Sequence, residues 1–278
     1  MSDALQSQDW ANGRGGKWQS QLSAIEAMLK PVDTPLLAAM DLSRPGRIAD
    51  IGCGGGGTSL AIAARAAAGS QVYGFDIAPE LVASARERAV GADAPVIFEQ
   101  SDVTVADLPS LRFDQLVSRF GIMFFAEPAA AFARLADWLT PGGSFTFAVW
   151  GPADDNLWMD GARREVAAVM NLPEPDWRAP GPFRYGDPDP LLALLAAAGF
   201  SGLHVEEWRG RLPVGGGLAP EPAADFALSS FAISERLAEA DEAQRQTARE
   251  RLTERFRAHV SNGEVWMDAR VHLVSGRR

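Results

Sequence analysis

A chain of 278 residues with 47% hydrophobic content can bury a sizeable core, as one large α/β domain or as a domain with a cap, and general disorder is excluded. Its 26 basic and 36 acidic residues leave a formal charge of −10, with only two lysines, Lys17 and Lys30, so it lacks the basic patch that nucleic-acid phosphates require. One cysteine allows no internal disulfide, no basic-then-apolar leader opens the chain, and the longest apolar run, LLALLAAAGF from Leu191, falls short of the ~20 residues that cross a bilayer. The expected location is the cytoplasm, with no membrane span and no nucleic-acid partner.

Helices are expected near residues 17–30 and 33–41, the second bounded by Pro35 and the turn Arg44 to Gly46. Strands and helices then alternate: strand 47–51, helix 58–68, strand 71–75, helix 79–90, strand 95–99, strand 113–118, helix 128–139 and strand 143–149. Such alternation predicts a parallel, doubly wound sheet, in which ligands sit beyond the carboxyl ends of the strands at the switch point. The order breaks after Trp150, where residues 151–187 carry many prolines and aromatics around one short helical stretch and read as an inserted cap. Helix 188–199, ending at Gly199, and strand 203–208 resume the core pattern. A second insertion at about 218–262 follows, helical near 222–232 and 234–260, before a last strand within Glu264 to Ser275. The divisions expected are therefore 1–46, an N-terminal helical segment; 47–150, the core; 151–187, the cap; and 188–278, the rest of the core with the second insertion.

The most informative stretch is Arg47 to Ala63, RIADIGCGGGGTSLAIA, which passes from a buried strand through a glycine run directly into a helix. Glycines there let the chain turn sharply and let a ligand approach the main chain. The spacing Gly52, Gly54, Gly57, with Asp76 about 20 residues on after the strand QVYGFD, also satisfies the dinucleotide fingerprint. The loop alone leaves two cofactor classes open. Asp50, two positions before the first glycine, places a carboxylate at the strand tip, which suits a ligand bearing an ammonium group better than a pyrophosphate.

This ordering, D-I-G-C-G-G-G, resembles motif I of the class I S-adenosylmethionine-dependent methyltransferases, and the resemblance extends over roughly residues 10–150. Asp76 stands where that family takes both ribose hydroxyls, and Asp102, in QSDVTVADL after the strand FEQ, stands where it contacts the adenine amino group. FDQLVSRFGIMFFAEP and PGGSFTFAVW resemble the family's fourth and fifth motifs. The resemblance implies a Rossmann-like, doubly wound α/β sheet, mostly parallel with an antiparallel last strand, N-terminal helices over the cofactor and an inserted cap. It also implies S-adenosylmethionine as cofactor, S-adenosylhomocysteine as product and a small, partly apolar acceptor, as in the branch of quinone and natural-product methyltransferases. The cofactor-binding residues it implies are Trp18, Asp50, Gly52, Cys53, Gly54, Asp76, Ile77, Asp102, Val103, Ser118 and Phe120, with the loop from Asp50 to Gly54 at the methionine end.

Competing roles stand beside these. Asp76 could cap the helix beginning near Pro79, Asp102 could be an ordinary surface residue, Arg119 could serve only to pair with a carboxylate, and Cys53 could be a small residue tucked into the loop. His204, His259 and His272 are scattered and show no metal-ligand spacing, so no metal is expected and no catalytic residue is assigned; a general base would require the fold to bring His204 or His259 to the pocket. For the acceptor, the aromatic candidates are Trp10, Trp18, Phe120, Phe124 and Phe125, with Met123 beside them, and from the cap Trp150, Trp158, Trp177, Phe183 and Tyr185; Trp18 and Phe120 lead. An NAD-dependent oxidoreductase is the rival reading, against which stands the lack of a short-chain dehydrogenase's Tyr and Lys pair. A third is a protein that binds S-adenosylmethionine without transferring methyl. A homodimer through an exposed apolar helix face is compatible with the sequence.

Overall fold

The structure is a computed structural model that describes residues 9–91, 95–106, 111–230 and 233–278. Its centre is strand β1 (Arg47–Ile51), whose Ile48, Ala49 and Ile51 are almost wholly buried, as expected of a strand covered on both faces. It pairs in parallel with β2 (Gln71–Asp76) on one side and β4 (Phe113–Arg119) on the other. Outward from these lie β3 (Val96–Gln100), parallel to β2, and β5 (Leu139–Trp150), parallel to β4. The far edge is antiparallel: β8 (Glu264–Arg277) lies between β5 and β6 (Ser201–Pro213), giving the order β3-β2-β1-β4-β5-β8-β6, and the short β7 (Val260–Ser261) pairs with β8. The sheet is thus Rossmann-like and mostly parallel with an antiparallel last strand. Its switch point lies between β1 and β4, where consecutive connections run to opposite sides.

Two helices at the N-terminus precede the sheet, but not with the expected boundary. A π-turn at Trp10–Arg14 leads into α1 (Gly15–Ser20), and α2 (Leu22–Ala38) then runs unbroken through Pro31 and Pro35. Ile25, Met28, Leu29, Val32, Leu36 and Leu37 form one buried stripe along α2, and burying that stripe outweighs the two missing backbone donors. The core helices are α3 (Gly57–Ala63), α4 (Pro79–Ala89), α5 (Pro128–Trp138) and α7 (Asp189–Ala197), the last followed by Gly199 at φ 93°. That left-handed residue lets the chain leave the helix and enter β6.

Between β5 and α7 stands α6 (Leu157–Met170), and between β6 and β8 stand α8 (Pro220–Ser230), α9 (Ile233–Ala238) and α10 (Glu242–Arg257). The single helix expected over 234–260 is two, because Asp241 and Gln244 form a reciprocal capping box that starts a new helix. Helix α6 packs against α8, α9 and α10, so these four helices form one layer. That layer rests on an extension of the sheet: β5 ends at Trp150 opposite Val271, whereas β6 and β8 stay paired as far as Pro213 and Trp266. Among the described residues no helix is long and apolar enough to cross a membrane.

Candidate functional site

The loop after β1 is held by two backbone hydrogen bonds, in which the N–H groups of Gly52 and Cys53 both donate to the Phe75 carbonyl at 2.8 and 3.0 Å. Gly52 has φ 70°, and a Cβ there would stand 2.9 Å from the Gly121 Cα, so only glycine lets the β1 and β4 ends approach this closely. Gly54, at φ 54°, differs in that an added Cβ would meet no atom within 4 Å. Gly54 lines a cavity that opens beyond the carboxyl ends of β1, β2 and β4.

On one side of this cavity stand the strand-end aspartates. Asp76 accepts the Gly54 N–H through Oδ2 at 2.8 Å and the Ala78 N–H through Oδ1 at 2.9 Å, so it fixes both the glycine loop and the entry to α4, and burial raises its carboxyl above the usual range. Asp102 accepts from the Thr104 N–H and hydroxyl at 2.9 and 2.6 Å through the same Oδ1. Ile77 and Val103 lie beside these two in the wall.

Asp50 is 1% exposed; its Oδ2 accepts the Ser59 hydroxyl at 2.6 Å, and its Oδ1, also buried, has no hydrogen-bond partner among the described residues. Burial lifts its pKa to about 7, against the Ser59 hydrogen bond and the Arg119 charge, which lower it. Arg119, at the tip of β4, donates to Asp33 Oδ1 and Glu26 Oε2, both at 2.8 Å, so it is held by two carboxylates of α2. Burial also raises the Asp33 pKa. Neither Glu26 nor Asp33 was expected from the sequence. The available signal was their seven-residue spacing on α2, which puts two carboxylates two turns apart on one face of a helix whose neighbouring positions are apolar.

The opposite wall is aromatic. Phe120 has φ 69°, a left-handed conformation that is costly for a bulky residue, and its N–H donates to the Ala148 carbonyl at 3.0 Å. Its ring lies on Trp150 with centroids 3.8 Å apart, and Trp150 meets Trp158 edge-on at 4.9 Å. Trp10 closes the N-terminal side, packed edge-on against Trp18 at 5.5 Å and Phe124 at 5.2 Å. At the mouth Arg14 pairs with Glu235 of α9 at 2.8 Å, Lys17 lies 4.0 Å from the same carboxylate, and Gln21 bonds Ser229 and Ser230 of α8. The N-terminal segment is therefore strapped to the inserted helices across the opening.

Of the residues singled out in the sequence, Trp18, Asp50, Gly52, Cys53, Gly54, Asp76, Ile77, Asp102, Val103 and Phe120 all line this one cavity. Ser118 does not: fully buried, it donates to the Ile51 carbonyl at 2.7 Å and accepts the Gly121 N–H at 3.2 Å, tying β4 to β1 behind the wall. Burial raises the Cys53 thiol well above its ordinary pKa, so it stays protonated. Trp150, which is the last residue of β5 and not part of the stretch after it, and Trp158 of α6 line the cavity, while Trp177, Phe183 and Tyr185 lie outside it. None of the three histidines lines it, and His272 is buried with Nε2 3.0 Å from the Gly186 carbonyl. No group of His, Cys, Asp and Glu suited to a metal ion occurs among the described residues.

Residues 48–143 match the family model described as a methyltransferase domain. A demethylmenaquinone methyltransferase of Thermus thermophilus is 30% identical over 177 residues, covering 59% of this chain and 79% of that protein. Phosphoethanolamine N-methyltransferase 3 of Arabidopsis thaliana is 34% identical over 104 residues, 37% of this chain and 21% of that much longer protein. The chain thus spans only about a fifth of that relative's length. Among solved structures, Haemonchus contortus phosphoethanolamine N-methyltransferase 2 in complex with S-adenosyl-L-methionine shares the fold, with a TM-score of 0.55, 18% identity and coverage of 89% of this chain and 52% of that one.

Proposed function

Because the chain belongs to the class I S-adenosylmethionine-dependent methyltransferases, we propose that it transfers a methyl group from S-adenosylmethionine to a small, partly apolar organic acceptor. The observation that carries this reading is a single cavity with the glycine loop and Asp50, Asp76 and Asp102 along one wall and the Phe120, Trp150 and Trp158 rings along the other. Two different ligands side by side are what a transfer between them requires.

The residues present fit the cofactor. The orphaned, buried Asp50 Oδ1 lacks a partner that an ammonium group supplies. Gly54 offers open space where a side chain would stand in the ligand's place. Asp76 keeps lone pairs beyond its two backbone bonds for a pair of vicinal hydroxyls, and Asp102 keeps Oδ2 for an exocyclic amine. When bound, the cofactor supplies an activated methyl on a sulfonium, so the chain's own task is alignment. The glycine loop and Asp76 hold the donor, Ile77, Val103, Trp18 and Phe120 pack around it, Cys53 fills the loop, and Ser118 keeps the β4 tip in register. The strapped N-terminal segment, with the inserted helices at about 151–187 and 218–262, excludes water from the acceptor side. The free, buried Cys53 suits a reducing compartment, and the proposed location is the cytoplasm.

Calorimetry tests the cofactor assignment. S-adenosylhomocysteine should bind while NAD does not, and Asp76→Ala should weaken binding by about tenfold or more, a loss of ~1.4 kcal/mol or greater. Unaltered affinity in that variant would remove Asp76 from the ribose role. Incorporation of labelled methyl into a small-molecule acceptor separates an enzyme from a protein that only binds the cofactor.

A further inference from the structure

The cavity also carries information about its acceptor, on the reading that it is a methyl-transfer site. The chain's three histidines and two tyrosines all lie outside its walls, and the Cys53 thiol is held protonated by burial. Its carboxylates are committed: Glu26 to Arg119, and Asp50, Asp76 and Asp102 to the end at which the glycine loop stands. Glu235, at the mouth, faces both Arg14 and Lys17, so that group of three carries a net positive charge. Among the described residues toward the aromatic wall there is neither a base placed to take a proton from a neutral nucleophile nor a spare carboxylate to balance an ammonium ion.

We propose that the acceptor enters as a planar, apolar molecule whose nucleophile is already an anion, a carboxylate or an ionised enol, drawn in past Arg14 and Lys17 and laid against the Phe120 and Trp150 edges. With such an acceptor the balance closes without a proton. The lone pair of the anionic oxygen or carbon forms the bond to the methyl carbon as the carbon–sulfur bond breaks. That bond's electron pair stays on sulfur as a neutral thioether, and one positive and one negative charge disappear together. A neutral amine acceptor would leave a proton to be removed, and among the described residues lining the aromatic end no side chain is positioned to take it. Charge cancellation is also favoured in an enclosed apolar site, where two opposite charges lose solvation before reaction and the neutral products do not require it.

The test uses naphthalene probes of matched shape: 2-naphthoate, the anion of 2-hydroxy-1,4-naphthoquinone and 2-naphthylmethylammonium. S-adenosylhomocysteine is titrated first, which tests the methyl-donor reading by itself. The probes are then titrated into the loaded protein, and also into unloaded Asp50→Asn protein, where the counter-charge at the cofactor end is gone. Both anions should bind about tenfold more tightly than the ammonium probe, and Lys17→Glu should reduce that preference by about fivefold. Arg14→Gln is the second variant, expected to act in the same direction while the fold is retained. The two anions compared under labelled S-adenosylmethionine distinguish a carboxylate from an enol acceptor. Equal or tighter binding of the ammonium probe, or a preference unmoved by Lys17→Glu and Arg14→Gln alike, overturns the proposal, whether or not S-adenosylhomocysteine binds.

Discussion

Phe120 lies face to face on Trp150, with ring centroids 3.8 Å apart and planes within 8° of each other, although the Phe120 backbone is in a left-handed conformation at φ 69°. The two facts belong together. The left-handed turn swings the ring off the line of β4 and over β5, so the strain is held by the stack and by the Phe120 N–H bond to Ala148.

Truncating that ring should therefore show the strain. Phe120→Ala is expected to cost about 3 kcal/mol of stability in urea denaturation, as large-to-small changes at buried aromatics do. Phe120→Gly should be no less stable than Phe120→Ala, because glycine accepts the left-handed backbone, whereas in an ordinary strand it would be about 1 kcal/mol worse. A glycine variant clearly weaker than the alanine one means that the backbone relaxes when the ring is removed.

The glycine loop allows folding and binding to be separated. Gly52→Ala forces a Cβ to 2.9 Å from the Gly121 backbone at a positive φ, and should lower stability by about 2 kcal/mol or more. Gly54→Ala meets no atom, so its stability cost is only the ~1 kcal/mol of the backbone conformation, yet its methyl stands in the cavity. Thermal unfolding beside S-adenosylhomocysteine calorimetry should place Gly54→Ala as nearly as stable as the parent and a markedly weaker binder.

Asp50 makes both stability and affinity depend on pH. Its carboxyl is raised by burial to about 7 in the free protein, so its contribution favours the fold most at low pH. That contribution is lost as pH rises from the ordinary carboxylate range through about 7, by an amount on the order of a few kcal/mol. Asp33, raised by burial, acts in the same direction. A ligand ammonium beside Asp50 reverses the preference, so affinity for S-adenosylhomocysteine should increase between pH 6 and 8. Asp50→Asn should flatten the affinity profile and shrink the pH dependence of stability to the share that Asp33 carries, and an Asn variant with the parent's pH dependence would assign the effect to another group.

Arg119 is expected to be structural through its charge. Arg119→Met leaves Glu26 and Asp33 enclosed without their partner and should destabilise by about 3–5 kcal/mol. Adding Glu26→Gln and Asp33→Asn should recover a large part of that loss in denaturant unfolding. Simple additivity of the three changes would show that the charges are not coupled.

Much of the site was legible before folding because it is local. The glycine run, Asp50 two residues before it and Asp76 at the end of the next strand follow from strand-end chemistry within single βα units. The boundaries that departed from expectation are those set by packing. Separate helices were expected near 17–30 and 33–41 with Pro35 as a bound, yet α2 continues through Pro31 and Pro35 because its buried stripe needs both halves. The helix expected over 234–260 divides because Asp241 and Gln244 satisfy each other's backbone groups. Ser118, read as a ligand contact, is one residue from a strand tip where side chains alternate faces, and its hydroxyl turns back to Ile51 rather than to the cavity.

Alone, the sequence determined the kind of sheet, the position of the glycine loop and the acidic residues beside it, because hydrophobic period, turn chemistry and spacing act over a few residues. Tertiary structure decided which distant side chains meet: Arg119 with Glu26 and Asp33 across more than 80 positions, Arg14 with Glu235 across 221, and Phe120 with Trp150. Those partners depend on how helices and insertions pack onto the sheet. Burial then raised the Asp50 carboxyl to about 7 and left the far wall of the cavity aromatic, with no histidine or tyrosine in its lining.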